Sequence, residues 1–393
     1  MLQLKISRFQ KGSYIIVEGK DDSDRFYIIQ QGTIICNKSS RSGIAPVKLG
    51  PGDFLGVVSC FSGHLQIETA IAQTDVTAIC VQKSQYPDLI VNNTGLALKI
   101  IKSFANRMRE MNEMLTKATL KGVVADSNEQ IFNVANFYEK QGYFNIACFS
   151  YYQYLKTRPV SQRAQFAKQK YQTLKQRVNP VYLEPTAELQ RKYPKDAMIF
   201  SEASKGAEMF IIQQGDVAIS KVVDGNEVTL AVLHKGDMFG EMALLENKPR
   251  SASAIAHSDC VLMVVNRANF NQMVSTQPQM ITRLTTTLSE RLWSMYRQLE
   301  NASLDTPIEK MIDMLSLQIE KTKPDSKTMS NKSIQTDFSA QDIANMCGIP
   351  QDHQGTAIYA LQTDNHIKIV GGKIFIKDYN ELIKTAAFYR KGK

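Results

Sequence analysis

The sequence predicts a multidomain α+β protein. It has two β-rolls of jelly-roll type, each with a long C-terminal helix, a helical linker between them, and a C-terminal winged helix-turn-helix. Three observations predict this. Two distant stretches of the chain repeat each other, each repeat runs into a helix with one apolar stripe, and the last third reads helix, helix, hairpin. The expected domains are 1–119, 120–185, 186–303 and 304–393. A chain of 393 residues with 43% hydrophobic and 22% charged residues suits about two to four globular domains.

The repeat sets the first and third domains. Gly52-Asp53-Phe54-Leu55-Gly56 aligns with Gly236-Asp237-Met238-Phe239-Gly240, and Ala70-Ile71-Ala72 with Ala254-Ile255-Ala256. Upstream, Phe26-Tyr27-Ile28-Ile29-Gln30-Gln31-Gly32 mirrors Met209-Phe210-Ile211-Ile212-Gln213-Gln214-Gly215. Short β-rich runs broken by glycine turns suit a β-roll or jelly roll.

A helix follows each roll. Ile101, Phe104, Met108, Met111 and Leu115 mark one stripe; Ile281, Leu284, Leu288, Leu292, Met295 and Leu299 mark the other. Three-and-four spacing gives a helix with a single apolar seam. The seam packs either on its own roll or against the other helix, near coiled-coil geometry. The length of the stripes favours the helix pair, formed within one chain as a pseudo-dimer or between chains as a homodimer.

Residues 125–180 read as helices. Ile131, Val134, Ala135, Tyr138, Gly142, Ala147, Tyr151 and Pro159 fall near the positions of one tetratricopeptide repeat, and Gln165–Tyr171 continues as a third helix. A helical spacer is the preferred reading; a docking surface for a protein partner is the sharper one. Between Lys121 and Glu184 stand nine Lys/Arg against four Asp/Glu, out of a chain net charge of +9. A basic excess with interleaved tyrosines also suits an acidic partner or nucleic acid.

In the last domain a helix spans Thr306–Glu320, followed by a polar loop over 321–327. Ser339–Ile349 reads as a capped helix ending in a glycine turn, a second helix runs from Gln351 to Leu361, and Ile367–Ile376 folds as a hairpin about Gly371-Gly372. This is the order of a winged helix-turn-helix. The second helix offers Gln351, Asp352, His353, Gln354, Thr356 and Tyr359 on its exposed face, without Lys or Arg; Lys368, Lys373 and Lys377 lie on the wing.

Chemistry concentrates in Phe239–Ala252. A glycine (Gly240) and a carboxylate (Glu241) open a short helical turn, and Arg250 follows. Helix N-terminal amides attract an anion, a guanidinium forks onto phosphate oxygens, and a glutamate accepts from a sugar hydroxyl. In the first repeat the counterparts are Val57 for Glu241, Gln66 for Arg250, Ile67 for Ser251 and Glu68 for Ala252. The first copy keeps the scaffold glycines and loses both the phosphate cation and the ribose acceptor.

The stretch Phe239–Ala252 resembles the phosphate-binding cassette of cyclic-nucleotide-binding domains. With the long helix and winged helix, residues 186–393 resemble the Crp/Fnr family of bacterial transcription regulators. The resemblance implies that Glu241 binds the ribose hydroxyl, Arg250 the cyclic phosphate, and Ser251 the phosphate or purine. Gly240, Met242 and Ala243 would line the cassette, and Met295 and Tyr296 would cap the purine. It implies cAMP over cGMP as ligand, and DNA contacts from Gln351, Asp352, His353, Thr356, Lys368 and Lys373. A signalling scaffold whose helical and winged-helix modules bind proteins is the competing reading.

No cofactor, metal or catalytic motif is expected. Cys36, Cys60, Cys80, Cys148, Cys260 and Cys347 show no paired metal spacing, and the five histidines form no local ligand set. No run approaches a membrane span, and the N-terminus lacks a signal-peptide core, so the expected location is cytoplasmic.

Overall fold

The computed structural model describes residues 3–38, 44–120, 127–160, 162–223, 225–321, 334–336 and 338–391. Beyond Lys321, the polar loop expected at 321–327 lies outside them. The chain divides into two compact units. One comprises Met1–Tyr86, Met111–Lys121 and Ser289–Lys393; the other comprises Pro87–Glu110 and Gly122–Leu288.

In the first unit, one antiparallel sheet runs in the order Lys5–Phe9, Val76–Gln82, Arg25–Gln31, Phe54–Leu55, and a second in the order Tyr14–Ile16, Thr69–Ala72, Ile34–Asn37, Val47–Leu49. The second unit repeats this topology. Gln190–Tyr193, Cys260–Asn266, Glu208–Gln214 and Met238–Phe239 form one sheet, and Met198–Phe200, Ser253–Ala256, Val217–Val223 and Asn226–Leu233 the other. Alternating side chains fill each roll. Ile29, Ile34, Leu55, Ala70 and Ala78 are buried in the first, Phe210, Val217, Phe239, Ala254 and Leu262 in the second.

The likeness extends to irregularities. Arg25–Gln31 and Glu208–Gln214 both break register two residues before their end. Each then turns at a glycine of positive φ, Gly32 (φ 91) or Gly215 (φ 80). A Cβ there would overlap the backbone carbonyl of Asp75 or Asp259, so the turn requires glycine twice over.

The long helices span Thr94–Leu120 and Pro278–Ala302. Ile101, Phe104, Met108 and Met111 are buried, as are Ile281, Leu284, Leu288, Leu292 and Leu299. Residues 94–110 and 278–288 belong to the second unit, 111–120 and 289–302 to the first. Within the first unit the only tryptophan, Trp293, stacks on His64 of the roll at 3.5 Å and 9°.

The linker helices Ser127–Lys140, Phe144–Lys156 and Gln162–Lys175 are docked in the second unit. Their core (Ile131, Ala135, Tyr138, Ala147, Tyr151, Ala167) closes against Met198, Val222 and Ile255 of the roll. Polar ties fix the contact. Tyr138 Oη donates to Glu227 Oε1 at 2.7 Å, and Gln130 Nε2 donates to the Val222 carbonyl at 2.7 Å.

The winged module follows the expected order. Helix Ala340–Met346 has a capping box between Ser339 and Asp342, helix Gln351–Gln362 comes next, and strands Ile367–Val370 and Lys373–Ile376 join through Gly371 (φ 58) and Gly372 (φ 80). Two left-handed residues are what the tight hairpin turn demands. Strand Ile334–Gln335 adds to the hairpin, and helix Tyr379–Lys391 closes the chain's described part.

A charged cluster, absent from the sequence reading, ties this module to the second long helix. Helix Pro307–Lys321 carries Asp313, which is fully buried. Its carboxylate accepts from Arg297 at 3.1 Å, from Asn301 at 3.0 Å and from Arg390. Arg297 also donates to Glu320 at 2.8 Å. Burial opposes both charges, yet Arg297 is held above its ordinary pKa by Asp313 and Glu320, and Glu320 below its own by Arg297. Removing one partner leaves buried charge uncompensated, so Asp313→Ala should cost about 3–5 kcal/mol. Urea unfolding of the intact chain checks this. The paired change Asp313→Leu/Arg297→Met should recover part of the loss.

Candidate functional site

The site is built on the strand–turn–helix after the Gly236 turn. Strand Met238–Phe239 delivers Gly240, which at φ 79 is the N-cap of helix Glu241–Glu246; Asn247 (φ 56) ends that helix in the left-handed region. Pro249 and Arg250 follow. The Arg250 backbone is held on both sides: its N–H donates to the Ser204 carbonyl at 2.9 Å, and its carbonyl accepts from Ala203 N–H at 2.8 Å.

The Arg250 side chain turns inward and is only 6% exposed. Nη1 donates to the Gly240 carbonyl and Nη2 to the Glu208 carbonyl, each at 2.7 Å. The guanidinium lies 4.0 Å above the Phe200 ring. Nε is buried with no hydrogen-bond partner among the described residues. Burial pushes the pKa down to about 10, with Glu208 and Glu241 opposing it, so the group is a cation at neutral pH. Glu208 does not neutralise it by contact, because its carboxylate takes a two-pronged bond from Arg191 at 2.7 and 2.9 Å. A buried guanidinium with two backbone acceptors, a π face and a spare N–H is suited to an incoming anion.

Around it lie the other cassette residues. Glu241 is 2% exposed, Met242 and Ala243 are buried, and Ser251 Oγ approaches Met242 Sδ at 3.6 Å. Gly206 stands where any side chain would run into the guanidinium. Within the same unit Arg109 of the first long helix donates to the Pro249 carbonyl at 3.2 Å. Gly240, Glu241, Met242, Ala243, Arg250 and Ser251 are thus brought together. Met295 and Tyr296 fall in the other unit, where the Lys38 ammonium sits 2.7 Å from the Tyr296 ring centroid.

The first roll reproduces the frame with different chemistry. Gly56 (φ 76) caps helix Val57–Ser62, all of whose residues are buried. Gln66 N–H donates to the Lys20 carbonyl at 3.0 Å and its carbonyl accepts from Gly19 at 2.8 Å, the same ladder that holds Arg250. Its side chain donates to the Asp22 carbonyl at 2.6 Å, and Oε1 is buried without a partner among the described residues. Where the second roll presents a cation, the first presents an acceptor.

In the winged module Gln351, Asp352, His353, Thr356, Lys368 and Lys373 are exposed, as is Tyr359. Gln354 corrects the expected helix face. It is buried and donates to Asn345 at 2.9 Å and to the Ile349 carbonyl at 2.8 Å, so it braces the two helices of the turn. Lys377 donates to the Asn365 carbonyl at 2.6 Å.

Sequence reasoning missed Phe200, Gly206, Glu208 and Arg191. They reach the cassette from strands and a loop about 40–60 positions upstream, and no local spacing signals them. Among the described residues no group of three or more His, Cys, Asp or Glu could hold a metal, and no helix is long and apolar enough to cross a membrane.

Comparison with known proteins defines the class. The cyclic nucleotide-binding domain model matches the chain twice, over residues 6–93 and 190–277, the two rolls. The chain is 28% identical over 191 residues to the cAMP-activated global transcriptional regulator CRP of Pasteurella multocida, covering 47% of this chain and 88% of that one. It is 34% identical over 103 residues to the cyclic AMP receptor protein of Thermus thermophilus, covering 26% and 48%. Over 66 residues it is 41% identical to the cAMP-dependent protein kinase regulatory subunit of Mycosarcoma maydis, covering 17% and 13%. Both rolls thus match the cyclic nucleotide-binding domain, in tandem along the chain.

The two glycines test the packing difference between the rolls. At Gly240 a Cβ meets Arg250 Nη1 at 2.7 Å, whereas at Gly56 the nearest atom is 3.7 Å away. Both carry the left-handed strain of about 1–2 kcal/mol. Gly56→Ala should therefore cost about that much in thermal unfolding, and Gly240→Ala more, because it also dislodges the guanidinium.

Proposed function

We propose that the chain is a cyclic-nucleotide-responsive transcription regulator that senses its ligand, cAMP in preference to cGMP, in the second roll. The observation that carries this is the buried Arg250 guanidinium whose Nε has no partner among the described residues, with Glu241 close enough to raise its pKa. The relatives named for cAMP support the choice of ligand. Arg250 meets the cyclic phosphate, Glu241 accepts from the ribose hydroxyl, and Ser251 contacts phosphate or purine. Gly240, Met242 and Ala243 line the cassette. For the base, the family resemblance offers Met295 and Tyr296; Arg109, bonded beside the cassette in the same unit, supports a further contact. No catalysis is assigned to the chain.

The first roll is read as degenerate, since Gln66 and Val57 supply neither cation nor ribose acceptor. The boundaries 1–119, 120–185, 186–303 and 304–393 are retained, with a tetratricopeptide-like pair in the linker. The two long helices are read as the seam of an intramolecular pseudo-dimer, the homodimer being the alternative. In the output module Gln351, Asp352, His353 and Thr356 read bases, and Lys368 and Lys373 hold phosphates.

Calorimetry of the intact chain against cAMP and cGMP should give one site per chain. Arg250→Ala should weaken cAMP binding by about 2–4 kcal/mol, the scale of removing one partner of a buried charge pair, and Gln66→Ala should leave it unchanged. A stoichiometry of two, or equal losses from both changes, would show that the first roll is a working site.

Mobility shifts with genomic fragments, with and without cAMP, test the output. Lys373→Ala should lower the magnitude of the slope of log K against log salt by about one unit. Absence of DNA binding at low salt with ligand present would move the output to a protein partner.

A further inference from the structure

The output module is short of the charge that DNA affinity requires. From Ala302 to Lys393 twelve Lys/Arg face eleven Asp/Glu, and helix Gln351–Gln362 has no cation at all. Phosphate neutralisation supplies a large share of binding to DNA, and it needs lysines and arginines that are not already paired.

The linker holds such a surplus. Three of its acidic residues lie among the described ones, and each is committed to one cation: Glu129 to Arg163, Glu139 to Lys170 at 2.6 Å, and Glu184 to Lys156 at 2.7 Å. The remaining described cations, Lys140, Arg158, Lys168, Lys175 and Arg177, are exposed and have no acidic partner among the described residues. Helix Gln162–Lys175 carries no acidic residue and buries only Ala167 and Leu174, so most of its surface faces solvent. Lys168 and Lys175 are two turns apart on one flank, with Tyr171 between them. The Tyr171 ring lies 5.6 Å from the Lys175 ammonium and packs against Tyr152 at 5.4 Å between centroids. The tyrosines are half-buried and give the lysine stems a fixed bed.

We propose that this face of the linker, centred on Lys168, Lys175 and Arg177, is a second DNA-contacting surface that binds the phosphate backbone without reading sequence. It rests on the DNA-binding reading of the output module. Charge supplied by the linker answers the deficit in the winged helix, with the bases read by one module and the backbone held by another.

The test uses the full chain with cAMP and a labelled duplex of mixed sequence, with affinity measured by anisotropy at several KCl concentrations. Lys168→Gln/Lys175→Gln/Arg177→Gln should weaken binding at low salt. It should also reduce the magnitude of the salt slope by about 2.7 if all three meet phosphates, each contributing about 0.9. Lys5→Gln/Arg8→Gln/Lys11→Gln, an equal loss of charge from exposed positions of the first roll, should leave the slope in place. Calorimetry should show unchanged cAMP affinity in both variants. Should the linker triple variant fold poorly, Lys168→Gln and Arg177→Gln singly should each lower the slope by about 0.9. A linker variant with the wild-type slope overturns the inference and leaves the regulator reading standing. A wild-type chain that binds cAMP but no duplex sinks the DNA-binding output and this surface together. Preference for polyglutamate over duplex at equal salt, lost in the linker variant, reassigns the face to an acidic protein partner and overturns the proposal.

Discussion

Everything distinctive about the second roll depends on one buried guanidinium. Taking a cation out of water is costly, by several kcal/mol after relaxation, unless charge and hydrogen bonds replace the solvent. Arg250 receives two backbone carbonyls and the face of Phe200, but among the described residues no carboxylate hydrogen-bonds it, since Glu208 is held by Arg191. The roll therefore keeps an incompletely compensated positive charge in a low-dielectric setting. An anion that reached Nε would gain a charge-assisted bond and relieve that deficit at once. The need for close approach also explains the glycines. Gly206 and Gly240 have no side chain because the guanidinium occupies the space one would fill.

The first roll shows what the same frame does without the charge. Gln66 keeps the backbone ladder of Arg250, and Gly56 keeps the left-handed turn, so nothing in the β-scaffold demands the arginine. What changes is the sign of the interior, from donor-rich and cationic to neutral with a spare acceptor. A cyclic phosphate would face Gln66 Oε1 and two acidic neighbours, Asp22 and Asp24, that already hold Arg25. Scaffold and chemistry are separable: the two rolls share strand order and backbone ladder and differ in the side chains that fill them.

The output side rests on buried charge as well. Arg297 and Asn301, near the end of the second long helix, converge with Arg390 from the last helix on Asp313. This fastens the long helix to the winged module by directional bonds that tolerate few alternative arrangements. The same helix begins at Pro278 in the unit that holds the cassette.

The fold and the centre of the site were legible because both are written locally. Gly240, Glu241 and Arg250 lie within one strand–turn–helix, and the repeat Gly52–Gly56 against Gly236–Gly240 exposes the second roll by comparison. The helix stripes followed from spacing alone, and all their members except Leu115 and Met295 are buried. The misses share a different cause. Asp313 sits among Met311, Ile312, Met314 and Leu315, and a lone carboxylate on an apolar helix reads as an exposed exception. Its burial depends on Arg297 and Arg390, which lie 16 and 77 positions away. Gln354 read as an exposed side chain because polar residues flank it, but its position one turn before the buried Ala357 turns it inward to brace the motif. Local pattern reveals which groups a segment carries. Whether a polar group faces water or a buried partner is decided by tertiary contact, and at Arg250, Asp313 and Gln354 that decision defines the chemistry.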